Sequence, residues 1–280
     1  MDAEDRQPRD PSPPNGASSD VWLAGVAAAL DGSGLRVAVQ PIVDLALGTT
    51  VGYEALSRFT GPPDAPPNVW FAKAAELGLG APLDAMAMHL ALSLRRSLPP
   101  NAFLSVNVDP THLTDPDMTE VFRRAGNLSG LVVELTEHSE IDDYDAVSRR
   151  LQILRDKGAR VAVDDAGSSQ KGLQWLSVVA PDLVRLDRSL VADVATDESK
   201  RALVEMLGIF AAGFDAQIVA EGIERQEELD ALVTLGVPLG QGYLLGRPSL
   251  VDWPTVDPHI ATRVRSRVEQ TRLQASAASG

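Results

Sequence analysis

The hydrophobic residues of the chain fall into short apolar runs that are separated by longer amphipathic stretches. Eight runs have the length and composition of strands, at 35–43, 50–58, 102–108, 131–136, 160–165, 182–187, 216–221 and, more weakly, 237–245. Seven stretches have helical periodicity, near 68–78, 82–97, 117–126, 143–157, 171–179, 197–212 and 224–235. Because buried strands that alternate with amphipathic helices are typical of parallel sheets, the pattern predicts an α/β fold.

The number and spacing of these strands predict how the sheet closes. Eight strands within about 210 residues favour a (β/α)8 TIM-like barrel over an open sheet. The first two strands are joined by DLALGT, residues 44–49, which is too short for a crossover helix. They should therefore pair as an antiparallel hairpin, and we expect a TIM-like barrel with one antiparallel strand.

The two ends of the chain differ from the middle in composition. Residues 1–19 are rich in Pro, Asp and Ser, which predicts a disordered tail. The barrel domain is expected over 20–255, with Asp20 as the cap of a first helix. Residues 256–280 contain four arginines and predict a polar C-terminal helix followed by a tail of small residues. An arm for a membrane surface or for nucleic acid is the alternative for this segment.

Charge and composition exclude several classes of function. The chain has 39 acidic and 25 basic residues, a net charge of −14, which argues against a nucleic acid polymer as partner. The absence of cysteine excludes disulfides, thiolate catalysis and cysteine metal sites. The chain contains neither an apolar run of about 18 residues nor a signal-peptide pattern. We therefore expect a cytoplasmic protein without a membrane span.

The ends of the predicted strands carry the candidate chemistry. Six of these positions are acidic or amide residues: Glu54, Asn107, Glu134, Asp164, Asp165 and Glu221. In a barrel they would meet at one mouth, where carboxylates repel each other unless a cation lies between them. Mg²⁺ and Mn²⁺ prefer such oxygen ligands, and adjacent aspartates suit a two-ion site for phosphoryl transfer. In the alternative interpretation, Asp164 caps a loop and Asp165 is solvated.

Motifs for several other chemistries are missing from the sequence. There is no G-x-S-x-G elbow and no Walker A loop. The glycines of GQGYLLG, residues 240–246, are followed by Arg247 and Pro248 instead of a helix, which argues against a dinucleotide loop. The histidines lack metal-ligand spacing, and His138 either reaches the mouth or lies in a surface loop.

Several segments occur in an order that resembles one known family. They are VQPIVDL, GYEALSRF, LSVNVDP, VVELTEHS, VDDAG, VRLDRSLV, VAEGIE and GQGYLLGRP. Over residues of about 20–250 the chain is similar to EAL domains, which hydrolyse the bacterial messenger cyclic di-GMP. The resemblance implies a phosphodiesterase that uses two ions, Mg²⁺ or Mn²⁺, and forms linear pGpG. It also implies a homodimer.

The resemblance assigns a role to each matching position. Glu54, Asn107, Glu134 and Asp164 would hold one metal ion, and Asp164, Asp165 and Glu221 would hold the second. Glu221 would also act as general base. Glu137 would brace the loop after Asp165, and Gln241 and Glu224 would order water and the surrounding contacts. Arg58 would pair with phosphate, and Gln40 and Pro248 would line the nucleotide sites.

Two departures from the family pattern lie close to this chemistry. Arg185 stands where the family has a lysine that helps to position the attacking water, and a planar guanidinium cannot lose its proton. In the loop after the aspartates, Ser169 replaces a glycine, Gln170 an aromatic residue and Lys171 a serine. One hypothesis is thus an enzyme that retains every ligand. The other is a weak or inactive module that acts as a cyclic di-GMP receptor or a protein-interaction scaffold.

Overall fold

Eight strands close into a barrel in the part of the chain that the computed structural model describes, residues 18–135, 143–164, 176 and 179–278. The strands are β1 (Leu35–Asp44), β2 (Thr49–Phe59), β3 (Phe103–Val108), β4 (Leu131–Leu135), β5 (Arg160–Val163), β6 (Leu183–Leu186), β7 (Gln217–Ala220) and β8 (Leu239–Gly240). Their order around the barrel is their order along the chain. The predicted α/β TIM-like barrel is confirmed.

Strand β1 runs against the direction of both of its neighbours. It pairs antiparallel with β2, where Leu35 faces Phe59, and antiparallel with β8, where Val43 faces Gly240. The other neighbouring strands pair in parallel. The predicted hairpin at 44–49 is therefore confirmed.

Helices precede the first strand, connect the strands after the hairpin and follow the last strand. In the described ranges they are α1 (Ser19–Leu30), α2 (Pro67–Glu76), α3 (Gly80–Leu94), α4 (Pro116–Ala125), α5 (Tyr144–Asp156), α6 (Arg188–Val191), α7 (Glu198–Ala212), α8 (Gln226–Thr234) and α9 (Pro258–Ala278). Short 3₁₀ turns lie at Arg95–Ser97 and Pro110–His112. The helix predicted near 171–179 lies outside the described residues apart from 176 and 179, and so does the predicted tail up to residue 17.

Aspartate side chains begin three of the longer helices. Asp115, Asp143 and Asp197 accept backbone N–H groups at the start of α4, α5 and α7. These bonds satisfy amides of the first turn that have no partner within the helix. The predicted cap at Asp20 is wrong, because α1 starts one residue earlier and Ser18 precedes it. Asp20 lies in the first turn, where a negative charge interacts favourably with the helix dipole.

The last strand is shorter than the run predicted at 237–245, because the chain turns just after it. Gly242 approaches the backbone of Ile223 so closely that an added Cβ would lie 2.2 Å from the Ile223 nitrogen. Ile223 donates its N–H to the Gln241 carbonyl and accepts the N–H of Leu244, each at 3.0 Å. These bonds fix the turn that carries Gln241 at the barrel mouth.

The barrel interior contains two layers of side chains. The lower one, here called the apolar layer, consists of Ile42, Phe103, Val132, Ala162, Leu183, Val219 and Leu239. In β2 the corresponding position is Gly52, where an added Cβ would lie 2.5 Å from the Phe103 ring. The polar layer lies two residues nearer the mouth and consists of Gln40, Glu54, Ser105, Glu134, Asp164, Arg185, Glu221 and Gln241. Because side chains alternate along a strand, one face of each strand supplies both layers.

The C-terminal helix α9 packs against the barrel. Ala261 and Val264 are buried in the main core. Arg263 forms an ion pair with Asp230 of α8 at 2.8 Å, so this arginine is engaged within the fold. Across the described ranges, no helix combines the length and the apolar character that crossing a membrane requires.

Candidate active site

The polar layer lies at the carboxyl ends of the parallel strands. Glu134 and Arg185 belong to β4 and β6, and Asp164, Glu221 and Gln241 directly follow β5, β7 and β8. The sheet ladder continues through them, since the N–H of Asp164 donates to β4 and that of Glu221 donates to β6, each at 3.0 Å. The backbone hydrogen bonds of the barrel therefore position these side chains.

The Arg185 guanidinium occupies the centre of the polar layer. Its contacts are with Glu54, Glu134, Asp164, Glu221 and Gln241. Nε donates to Glu221 and Nη1 to Glu134. Nη2 lies 3.1 Å from Glu54 Oε2, and Nε lies 3.6 Å from Asp164 Oδ1. Arg185 is 2% exposed. Burial opposes its charge, but the surrounding carboxylates raise the pKa of Arg185 well above its ordinary value.

Glu54 is held by side-chain amides on two sides. Asn107 Nδ2 donates to Oε1 at 2.8 Å, and Gln241 Nε2 donates to Oε2 at 2.7 Å. Gln241 also donates to Gln40 Oε1 at 3.0 Å. Burial alone would raise the pKa of Glu54, but the charge of Arg185 and these hydrogen bonds lower it. Glu54 is therefore held as a carboxylate.

Glu134 is the most deeply buried acid of the layer, at 1% exposure. Its Oε1 accepts hydrogen bonds from Ser105 and Arg185. Its Oε2 is buried and has no hydrogen-bond partner among the described residues. Burial, together with repulsion from Glu54 and Asp164, raises the pKa of Glu134 to about 8, against the attraction of Arg185. One guanidinium thus does not compensate all the acids of the layer, and the layer takes up a proton more readily than isolated carboxylates do.

Two acids of the layer are open to the mouth. The side chains of Asp164 and Glu221 are 23% and 24% exposed. Burial and the nearby charge of Asp164 raise the pKa of Glu221 well above its ordinary value, although Arg185 acts in the opposite direction. A ligand that approaches from solvent would reach these two carboxyl groups first.

The remaining predicted site residues lie around the mouth. Arg58 lines a cavity of about 450 Å³ together with Asn107. Its Nη1 donates to the Ser57 carbonyl at 2.8 Å. Pro248 is half-buried in the segment after β8. Glu224 forms an ion pair with Arg188, with Nη2 and Oε2 2.8 Å apart. The structure therefore places Glu224 on the rim and not at the central guanidinium.

Part of the predicted site lies outside the described residues. This applies to Asp165, Glu137, His138 and the altered loop positions Ser169, Gln170 and Lys171. Their roles stay predictions.

The side chains of the polar layer are of the kind that bind divalent ions, but their present positions do not form a site for one. Carboxylate and amide oxygens are what Mg²⁺ and Mn²⁺ prefer, and the unpartnered Oε2 of Glu134 indicates room for further positive charge. However, the other oxygens surround the Arg185 guanidinium. Among the described side chains, no group of three or more acidic or histidine residues is placed to hold a metal ion.

Two polar groups near the mouth were not predicted from the sequence. Ser105 could have been found from its position two residues after Phe103, on the inward face of β3. The other is a pair: His112 Nδ1 lies 2.6 Å from Asp84 Oδ2, beside the cavity that Arg58 lines. Asp84 is the only acid in the apolar sequence of α3, which was the available signal. Burial raises the pKa of Asp84, and the hydrogen bond to the Asp84 carboxylate raises the pKa of His112.

The fold and the site define a (β/α)8 protein whose polar centre lies at the carboxyl mouth of the barrel. The profile of the EAL domain family matches residues 25–248, so the chain belongs to this family.

Curated relatives of the chain include several longer proteins. The "Probable cyclic di-GMP phosphodiesterase PdeD" of Escherichia coli K12 is 28% identical over 224 residues, which are 77% of this chain and 42% of PdeD. The uncharacterized protein y4lL of Sinorhizobium fredii is 29% identical over 221 residues, which are 76% of this chain and 27% of y4lL. The chain thus spans less than half the length of these relatives.

Several solved structures are similar to this chain over most of its length. The PaMucR phosphodiesterase, solved in complex with cyclic di-GMP, has a TM-score of 0.74 and 26% identity and covers 82% of this chain and 98% of its own. Klebsiella pneumoniae BlrP1, solved with manganese and cyclic di-GMP, has a TM-score of 0.71 and 29% identity. The match covers 80% of this chain and 58% of the BlrP1 chain.

Proposed function

We propose that this chain hydrolyses cyclic di-GMP to linear pGpG. The observation that carries the proposal is the polar layer, in which acidic and amide side chains converge at the carboxyl mouth of the barrel. These side chains occupy the positions of the segments that resemble EAL domains. Membership of the family and the similarity to PdeD, PaMucR and BlrP1 support cyclic di-GMP as the ligand.

In the proposed reaction, water attacks one phosphorus and one ester P–O bond breaks, while the second phosphodiester stays intact. Glu221 would accept the proton of the water, because its carboxyl group is partly exposed at the mouth, where a water can reach it. The guanidinium of Arg185 and the amide of Gln241 would orient the reacting groups from below.

Substrate would be held by residues around the mouth. Arg58 lines a cavity whose volume of about 450 Å³ is in the range of small-molecule sites, and a guanidinium pairs well with phosphate. Gln40 and Pro248 would contact the nucleotide. Gln40 is held by its bond from Gln241 and by donating Nε2 to the Gly246 carbonyl at 3.0 Å.

The proposal includes two divalent ions, Mg²⁺ or Mn²⁺. Their ligands would be Glu54, Asn107, Glu134, Asp164, Asp165 and Glu221. When bound, such ions supply Lewis acidity toward phosphate and make a coordinated water more acidic. The donor chemistry supports this assignment, as do the BlrP1 structures, which were solved with calcium or manganese and cyclic di-GMP. As the layer is arranged, the Arg185 guanidinium occupies the space between Glu54, Glu134 and Glu221.

A second candidate function is a cyclic di-GMP receptor or protein-interaction scaffold without turnover. The central position of Arg185 favours it, because the guanidinium already neutralises part of the charge that a divalent ion would neutralise.

Other parts of the proposal rest on the sequence and the family. They are a cytoplasmic location, a homodimer, a bracing role for Glu137 and an ordering role for Glu224. The division into a tail over 1–19, a barrel over 20–255 and a C-terminal segment over 256–280 also stays a prediction.

The proposed activity is tested by incubating the purified protein with cyclic di-GMP and Mg²⁺ or Mn²⁺, with pGpG quantified by chromatography. We expect conversion that stops in a chelator and that Asp164→Asn abolishes, since Asp164 is a central ligand. Asp230→Asn is the matched control, because Asp230 pairs with Arg263 on the outer surface. Binding without conversion would make the chain a receptor, and absence of both would leave the scaffold.

A further inference from the structure

The position of Arg185 has a consequence for the loading of the site with metal. Each of its three guanidinium nitrogens donates to a different carboxylate, those of Glu221, Glu134 and Glu54. These acids come from β4, β2 and the end of β7, so a single side chain ties three parts of the barrel together. The oxygens that a divalent ion would need are the ones that the guanidinium contacts.

Guanidinium and metal ion exclude each other for two reasons. The first is space, because a divalent ion must approach its oxygens to about 2.0–2.6 Å, and the planar fork lies between them. The second is charge, because Arg185 is buried at 2% exposure and its positive charge lies directly against the carboxylates that an ion would need. A buried arginine cannot make room by losing its proton.

We propose that Arg185 is an internal cation that competes with divalent metal for the carboxylates of the polar layer, so that metal binds only when the guanidinium leaves these acids. The inference deepens the proposed function, on which it rests for the choice of a divalent ion. Arg185 is in this sense a gate on metal loading as well as a positive charge near the substrate.

The unpartnered Oε2 of Glu134 indicates that a metal ion can still compete with Arg185 for the acids of the polar layer. Four carboxylates face one guanidinium, and one buried oxygen has no hydrogen-bond partner among the described residues. The apo layer is thus held together by Arg185 but is not fully neutralised by it. A divalent ion with twice the charge can therefore displace the guanidinium at sufficient concentration.

The inference is tested by measuring Mn²⁺ binding to the full chain without nucleotide, by isothermal titration calorimetry. Arg185→Lys keeps the charge but replaces the planar fork, whose three nitrogens reach three different acids, by a compact ammonium whose donors all lie on one nitrogen and span a shorter distance. We expect it to bind Mn²⁺ about tenfold more tightly than the wild type or better, since a buried ion pair is costly to break. Arg263→Lys, which alters an exposed arginine–aspartate pair on α9, should bind Mn²⁺ like the wild type.

A stability measurement checks the same point independently. In chelator, Arg185→Lys should have a lower midpoint of thermal unfolding than the wild type, because carboxylate oxygens lose their donors. Mn²⁺ should raise the midpoint of this variant more than that of the wild type, since a ligand stabilises the state it binds. Arg185→Met removes the positive charge from the layer. Its midpoint of thermal unfolding should approach that of the wild type only when Mn²⁺ is present. Equal Mn²⁺ affinities and equal midpoint shifts in wild type and Arg185→Lys would overturn the competition.

Turnover of cyclic di-GMP, measured on the same samples, separates this inference from the proposed function. If Arg185→Lys binds Mn²⁺ tightly but neither protein converts cyclic di-GMP, the phosphodiesterase proposal fails and the competition stands. If the wild type converts cyclic di-GMP and binds Mn²⁺ as tightly as Arg185→Lys does, the competition fails and the phosphodiesterase stands.

Discussion

Ser105 shows how a small neutral side chain supports the charged residues of the polar layer. Its hydroxyl donates to Oε1 of Glu134, whose other oxygen is unpartnered among the described residues. Ser105→Ala should lower the free energy of unfolding by about 0.5–1.5 kcal/mol, because the buried Oε1 of Glu134 loses one of its two donors and keeps only Arg185. Urea denaturation measures this change. Ser93→Ala, on the exposed side of α3, should change it by less than about 0.5 kcal/mol, and equal losses would contradict the role of Ser105.

The His112–Asp84 pair makes stability depend on pH. The hydrogen bond to Asp84 raises the pKa of His112, so the folded state binds this proton more tightly than the unfolded state. The stability from the pair should be complete below the unfolded histidine pKa of about 6.5 and should be lost as pH rises through the folded value. Chemical denaturation of the wild type and Asp84→Asn at several pH values measures it. A difference in stability that grows from pH 6 to 9 would contradict this sign.

At the scale of the element, the turn after β8 depends on close backbone approach. Gly242→Ala would place a Cβ 2.2 Å from the Ile223 nitrogen, so the turn must shift. We expect the free energy of unfolding to fall by about 2 kcal/mol or more. Gly208→Ala in α7 is the matched control, since its added Cβ would meet its nearest atom at 3.9 Å. This control should stabilise by about 0.5–1 kcal/mol, because alanine is the better helix former. Equal effects of the two substitutions would show that the contact at Gly242 is unimportant.

The elements with strong periodicity could be predicted from the sequence, and the ones that depend on tertiary contacts could not. β4 was predicted at 131–136 and is observed at Leu131–Leu135, because five consecutive buried residues leave few alternatives. The end of β8 was missed, since the turn there is fixed by the backbone of Ile223, a distant neighbour in the sequence. The cap at Asp20 was misplaced because Ser18 also suits the start of a helix.

Part of the candidate site could likewise be predicted from the sequence, and part of it could not. Convergence of Glu54, Glu134 and Glu221 followed from the rule that barrel strands end at one mouth. The sequence also identified Arg185 as unusual, but not which side chains it would contact. That choice depends on the length of the guanidinium arm and on the positions of several strands at once. The local sequence pattern around Arg185 does not indicate which side chains from other strands it contacts.

At the scale of the whole molecule, α9 closes part of the outer core. Deletion of residues 258–280 would remove the buried Ala261 and Val264 and the Arg263–Asp230 ion pair. We expect a fall of several degrees in the thermal midpoint, because each buried apolar side chain contributes on the order of 1–3 kcal/mol. Deletion of 273–280 alone retains these contacts and should leave the midpoint nearly unchanged. Thermal unfolding followed by circular dichroism compares the two deletion variants. Identical midpoints would show that α9 does not contribute to stability.

The apolar layer closes the barrel interior below the polar layer. Seven buried side chains fill the interior beneath the polar layer, so small solutes enter and leave it from above. If a nucleotide binds across the mouth as proposed, it would cover the route by which small solutes reach the polar layer. Metal ions and the nucleotide would then share this route, so an ion would have to bind before the nucleotide does.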